Sequence, residues 1–81
     1  MYYAYVIRSI NNPEQYYFGY TTDLKRRLSQ HNSSSVPHTS KYNPWKVVFY
    51  AAFATKELAL AFEKYLKTAS GKAFARKRLI K

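Results

Sequence analysis

Arg27 and His31 stand one helical turn apart in the run TTDLKRRLSQH. At about 100° per residue, Leu24, Leu28 and His31 share one helical face, Arg27 borders that face and Arg26 lies on the opposite side. A guanidinium held at the margin of an apolar face is preorganised to grip a phosphate bidentately, whereas one in solvent adds only to the general field. The plainer reading makes Arg27 a side chain that snorkels along the apolar face and His31 a satisfied boundary histidine.

A hard divalent cation wants carboxylate oxygen, and the chain has only Glu14, Asp23, Glu57 and Glu63 to offer. Glu14 falls in a turn, Asp23 at a helix start and Glu57 in a helix first turn, where it complements the dipole. Glu63 is left over, on the flank of a helical stripe formed by Leu58, Phe62, Tyr65, Leu66 and Ala69. Its plain role is an ion pair with Lys67 at i+4. Nine tyrosines are the third feature, with Tyr2, Tyr3, Tyr5, Tyr16, Tyr17 and Tyr20 close together. Most serve as amphipathic filler in strands, and aromatics beside basic residues also suit base stacking.

The elements that must position these residues follow from periodicity and punctuation. Residues 2–9 mix aromatic and β-branched side chains and predict a strand with Tyr3, Tyr5 and Ile7 on one face. Asn11-Asn12-Pro13-Glu14 is a turn, and the strand pattern resumes over Tyr16–Tyr20, giving a hairpin. Thr22 and Asp23 open a helix that runs to about Asn32. From Ser33 to Pro44 the chain is rich in Ser, Pro, His and Asn with almost nothing to bury, which predicts a mobile surface loop. Trp45–Ala54 is a third strand. Thr55 caps a helix ended by Gly71, and a short basic helix, Lys72–Ile80, follows. The order β-β-α-β-α-α predicts an α+β fold, a small three-stranded mixed β-sheet flanked by helices, in a single domain over residues 1–81.

Composition bounds the partners. The 81 residues carry 14 Lys and Arg against 4 Asp and Glu, a net charge of +10. A hydrophobic content of 47% is too high for a disordered basic tail, so the chain should fold around one modest core. The absence of cysteine excludes disulfides, thiolate metal sites and cysteine nucleophiles. No leader-like segment and no apolar run of ~20 residues is present, which predicts a cytoplasmic protein with no membrane partner. A charge of this size favours polyanions, nucleic acid above all.

Tyr3-Ala4-Tyr5, then Tyr17-Phe18-Gly19, then Thr21, Leu24, Arg27 and His31 together resemble the signature of the GIY-YIG nucleases. The likeness runs from Tyr2 to about Leu79, and the chain is similar to the small single-domain bacterial members of that family. Tyr3 and Phe18 depart from the usual signature residues, Tyr20 replaces a frequent lysine and Ala75 lies near the place of a frequent asparagine. The resemblance implies that Tyr5, Tyr17, Arg27 and Glu63 surround one divalent metal, Mg²⁺ or Mn²⁺, held by Glu63. His31 would orient a tyrosine or contact phosphate.

The implied chemistry is metal-dependent hydrolysis of phosphodiester bonds in DNA. Tyr5 or Tyr17 takes the proton of the attacking water, with nearby cations lowering the phenol pKa from its usual ~10. Arg27 supplies charge to the transition state. Lys25, Arg26, Lys41, Lys46, Lys72, Arg76, Lys77 and Arg78 line approaches for the strand, and the loop with His38, Thr39, Ser40 and Lys41 closes over it. No reader motif is present, which points to structure-selective or nonspecific cutting of single-stranded, nicked or branched DNA, in repair or recombination. RNA is the alternative substrate, and a noncatalytic nucleic-acid-binding module with the same fold is the rival function.

Overall fold

A computed structural model of the protein describes residues 1–33 and 35–80. Strand β1 (Tyr2–Ser9) turns back into β2 (Tyr16–Thr21), and helix α1 (Leu24–Asn32) and a single helical turn, α2 (Pro37–Ser40), lead to β3 (Trp45–Phe53). Helices α3 (Lys56–Leu66) and α4 (Ala69–Phe74) follow, the latter running into a π-helical turn over Ala75–Leu79. Among the described residues, no helix is long and apolar enough to cross a membrane.

The sheet has three strands in the order β2-β1-β3. Both pairings are antiparallel, which corrects the expected mixed sheet. The physical reason is the place of β1. The crossover through α1 joins β2 to β3, which run parallel to each other, but β1 sits between them and is antiparallel to both. That central position also explains the composition of β1. Ala4, Tyr5, Val6 and Ile7 are all buried, because helices cover the strand on both faces.

On one face Tyr5, Ile7 and Trp45 pack with Tyr17, Leu24, Leu28, Tyr42 and Val47, under α1 and α2. On the other, Val6, Leu66, Ala75 and Ile80 pack with Tyr16, Phe18, Val48, Phe49, Phe62 and Leu79. A β-bulge opposite Val6 and Ile7 pairs them with Phe49 and Val47, so the extra residue, Val48, joins Phe49 on the second face.

Three local expectations change. The carboxylate of Asp23 caps α1 by accepting the Arg26 N–H at 3.0 Å, and Thr21, rather than Thr22, supplies the hydroxyl, accepting the Asp23 N–H at 3.1 Å. Gly71 does not end a helix. Helix α3 stops at Leu66, Thr68 caps α4, and Gly71 lies inside α4, donating its N–H to Thr68 Oγ1 at 3.0 Å. A Cβ there would collide with the Tyr65 carbonyl and come within 2.8 Å of Leu66 Cα, so glycine is needed for the close approach of α4 to the end of α3. The segment from Ser33 to Pro44, read as a mobile loop with almost nothing to bury, is held in place at its described residues, Ser34 lying outside them. Trp45 Nε1 donates to the Thr39 carbonyl at 2.8 Å, Ser9 Oγ donates to the Tyr42 carbonyl at 2.7 Å, and Thr39 itself is buried.

Candidate active site

The hairpin register brings the first tyrosine motif against the second. Tyr5 on β1 lies directly opposite Gly19 on β2, and its ring passes over the space a side chain at Gly19 would fill. An added Cβ would sit 2.8 Å from Tyr5 Cε1 and closer still to Cζ and the hydroxyl. The glycine therefore exists here to admit the tyrosine, and its φ is not positive.

With its ring fixed, the Tyr5 hydroxyl meets two side chains of α1. It shares a hydrogen bond of 2.8 Å with His31 Nε2 and accepts from Arg27 Nε at 3.3 Å. Arg27 is partly buried at the margin of the helix face, as the periodicity places it, while Arg26 is exposed. A second guanidinium nitrogen, Nη1, donates to Gln30 Oε1 at 3.1 Å. His31 is fully buried, and its Nδ1 lies 2.7 Å from Thr39 Oγ1 on α2. Tyr17, two residues from Gly19 on the same sheet face, closes the cluster. Its ring centroid is 4.9 Å from that of His31 and 6.4 Å from that of Tyr5.

Electrostatics in this cluster are set by burial and by Arg27. Burial pushes the Tyr5 phenol up to about 12, against the opposing pull of the Arg27 hydrogen bond and charge. This reverses the expected lowering at Tyr5, since desolvation of a phenolate outweighs one guanidinium. Burial, then the charge of Arg27, pushes His31 down to about 4, so its imidazole is neutral at pH 7. Arg27 is held more firmly protonated by its bond to Tyr5, which outweighs its own desolvation.

Glu63 arrives from the other sheet face. Helix α3 packs against β2 as well as β1, and the Glu63 charge is felt at Tyr5. The carboxylate is partly buried and paired with Lys67 Nζ at 2.7 Å, and the same ammonium lies 6.0 Å above the Tyr17 ring. The plain i+4 ion pair and the placement near the tyrosines are thus both present. Among the described residues no group of three or more acidic, His or Cys side chains converges to cage a metal. A single partly buried carboxylate such as Glu63 suits an open site for a hard divalent ion rather than a closed cage, because such an ion can keep several waters and bind through one or two carboxylates plus substrate phosphate.

The other basic residues are dispersed. Arg26 lines a groove beside Arg27 with Tyr20, Thr21, Thr22, Asp23 and Gln30. Lys25 lines a second groove with Tyr3 and the exposed Tyr50, whose rings meet edge to face at 6.0 Å. Lys72 and Arg76 border a third, beside Tyr16 and Phe18. Lys41 lies over the Tyr42 ring at 5.6 Å, and Lys46, Lys77, Arg78 and His38 are exposed. Gln30 is a contact that sequence reasoning did not assign, and Thr39, read as part of a loop that closes over the strand, instead meets His31. Gln30 carried a signal, its i+3 spacing from Arg27, and Thr39 carried none.

A family model for the GIY-YIG catalytic domain matches residues 1–78. The chain is 41% identical over 66 residues to a UPF0213 protein of Streptococcus pneumoniae, covering 80% of this chain and 65% of that one. It is 40% identical over 65 residues to the "Structure-specific endonuclease subunit SLX1 homolog" of Giardia intestinalis, covering 75% of this chain and 18% of that one. Among solved structures it is similar to the solution NMR structure of the UPF0213 protein BH0048 from Bacillus halodurans, with a TM-score of 0.55 and 30% identity over 95% of this chain and 84% of that one.

Proposed function

This chain belongs to the GIY-YIG catalytic domain family, and from that membership we propose that it is a divalent-metal-dependent endonuclease that hydrolyses phosphodiester bonds in DNA. The observation that carries the reading is the convergence of Tyr5, Tyr17, Arg27 and His31, with Glu63 close enough for its charge to act on Tyr5. Structure-selective cutting of single-stranded, nicked or branched DNA, in repair or recombination, is the substrate reading. The similarity to a relative named as structure-specific supports it.

Arg27 binds the scissile phosphate and stabilises the charge that develops on it. Its five N–H donors exceed the bonds to Tyr5 and Gln30. Glu63 would hold Mg²⁺ or Mn²⁺, and such an ion would supply Lewis-acid stabilisation of the phosphate and leaving group. A tyrosine takes the proton of the attacking water. Tyr5, a neutral phenol at pH 7, does so as a relay, passing its own proton to His31 Nε2 as it accepts another. Tyr17 is the alternative acceptor. Lys25, Arg26, Lys41, Lys46, Lys72, Arg76, Lys77 and Arg78 add sequence-independent attraction to the backbone, which weakens with salt.

The test is cleavage of labelled single-stranded, duplex, nicked and branched DNA with Mg²⁺ or Mn²⁺, by wild type, Arg27→Ala and Glu63→Ala. Wild-type cleavage that falls by about 10²-fold or more in both variants, with binding largely retained, is the expected result. Intact DNA under every condition with salt-sensitive binding preserved would overturn it in favour of a noncatalytic binding module.

A further inference from the structure

We propose that Thr39 is a positioning residue that fixes His31 in its Nδ1–H tautomer, leaving the bare Nε2 facing the Tyr5 hydroxyl as a proton acceptor. The argument starts from what each neighbour can donate. Thr39 Oγ1 lies 2.7 Å from His31 Nδ1 and 3.3 Å from the backbone carbonyl of Val36. A carbonyl only accepts, so it takes the single hydroxyl proton of Thr39, and the hydroxyl oxygen then meets Nδ1 as an acceptor. In that arrangement Nδ1 carries the hydrogen.

The other end of the ring gives the same answer independently. Arg27 Nε only donates, and it donates to the Tyr5 oxygen at 3.3 Å. The phenolic proton therefore points to the remaining partner, His31 Nε2 at 2.8 Å, which must be bare to receive it. One continuous direction results, from Arg27 through Tyr5, His31 and Thr39 to Val36. His31 and Thr39 are 0% and 1% exposed, so bulk water does not reach the ring to offer another arrangement. Among the described residues no buried side-chain polar atom lacks a partner.

Thr39 is itself held from several sides, which is what a positioning residue requires. Its N–H donates to the Val36 carbonyl at 3.1 Å, and its own carbonyl accepts from Trp45 Nε1 at 2.8 Å. The opposite tautomer would set an Nε2–H against the Tyr5 oxygen alongside the Arg27 donor and would leave no acceptor for the phenolic proton within the ring of contacts. The segment read from sequence as a closing loop thus serves as a fixed brace behind the histidine. The catalytic consequence rests on the nuclease reading, whereas the tautomer does not.

Long-range ¹H–¹⁵N correlation of the histidine ring nitrogens tests the proposal on the wild type, Thr39→Ser and Thr39→Val. The expected result is a protonated Nδ1 and bare Nε2 in the wild type and in Thr39→Ser, with that preference lost or reversed in Thr39→Val. A wild-type His31 carrying its proton on Nε2 overturns the proposal without any variant, as does an unchanged Nδ1–H in folded Thr39→Val. In the cleavage assay Thr39→Val should lose about 10²-fold in kcat with DNA affinity unchanged, and Thr39→Ser should restore it. An Nδ1–H wild type that cuts no DNA leaves the tautomer assignment standing and removes the nuclease reading alone.

Discussion

Gly19→Ala should destabilise the protein, although the backbone alone predicts the opposite. Gly19 sits in a strand without a positive φ, and an alanine at such a position ordinarily stabilises by about 0.4–1 kcal/mol through the unfolded chain. Tertiary contact reverses the sign. The new Cβ would lie 2.8 Å from Tyr5 Cε1 and nearer to Cζ and the hydroxyl, so the ring must shift by roughly 1 Å to regain contact distance. That shift takes the hydroxyl out of its 2.8 Å bond with His31. Overpacking costs about 1–3 kcal/mol, and a buried polar atom left unmet costs a further ~1–3 kcal/mol. At about 4–8 °C per kcal/mol for a domain of this size, the midpoint should fall by about 10 °C or more. Thermal and urea unfolding read the change directly. In a Tyr5→Leu background, where the ring is gone, the same substitution should cost far less. A Gly19→Ala protein as stable as wild type would refute the reasoning.

Stability should also rise with pH between 5 and 7 through His31. The unfolded histidine binds its proton near 6.5, while burial holds the folded one at about 4, so in this window the unfolded state carries more protons. Stability is complete above the unfolded value and declines as pH falls towards 4, by about 2 kcal/mol between pH 7 and pH 5. Urea unfolding at stepped pH measures it, and His31→Gln should flatten the slope. Lys67→Met removes the ammonium that pairs with Glu63 at 2.7 Å. A partly exposed pair of this kind is worth about 0.2–1 kcal/mol, so Mn²⁺ affinity followed by electron paramagnetic resonance should rise up to about fivefold, and an unchanged affinity would count against Glu63 as the ligand. Asp23→Ala deletes the cap of α1 and should cost about 1 kcal/mol in urea unfolding, with no loss if the Arg26 N–H is satisfied by solvent instead.

Much of the fold was legible because it is local. The hairpin, α1 with its capping Asp23, the third strand and the helix capped by Thr55 each follow from nearest-neighbour signals: turn formers, side-chain period and caps. The bordering position of Arg27 and the inward face of His31 followed from helical period alone, and so did the ion pair of Glu63 with Lys67. The resemblance in YYFGYTTDLKRRLSQH added the company these residues keep, which period could not supply.

What tertiary structure decided is everything that depends on contacts distant in sequence. Strand order made the sheet wholly antiparallel, because no local signal says that β1 lies between β2 and β3. Gly71 looked like a helix stop until the packing of α4 on the end of α3 showed that it is a close approach. The chemistry that the resemblance implied asked nearby cations to lower the phenol pKa of Tyr5 or Tyr17, and burial of Tyr5 to 1% exposure raised it there, since desolvation is a property of the folded core. Thr39, from a stretch with no apolar pattern, became the brace behind His31 because a hydroxyl eight residues away reaches the ring only after α2 folds back over α1. The sequence by itself determined which residues are candidates for chemistry and which face of their own element each occupies, because residue type and period are local properties. Only the three-dimensional packing decided their protonation and their partners, since these depend on groups that folding alone brings together.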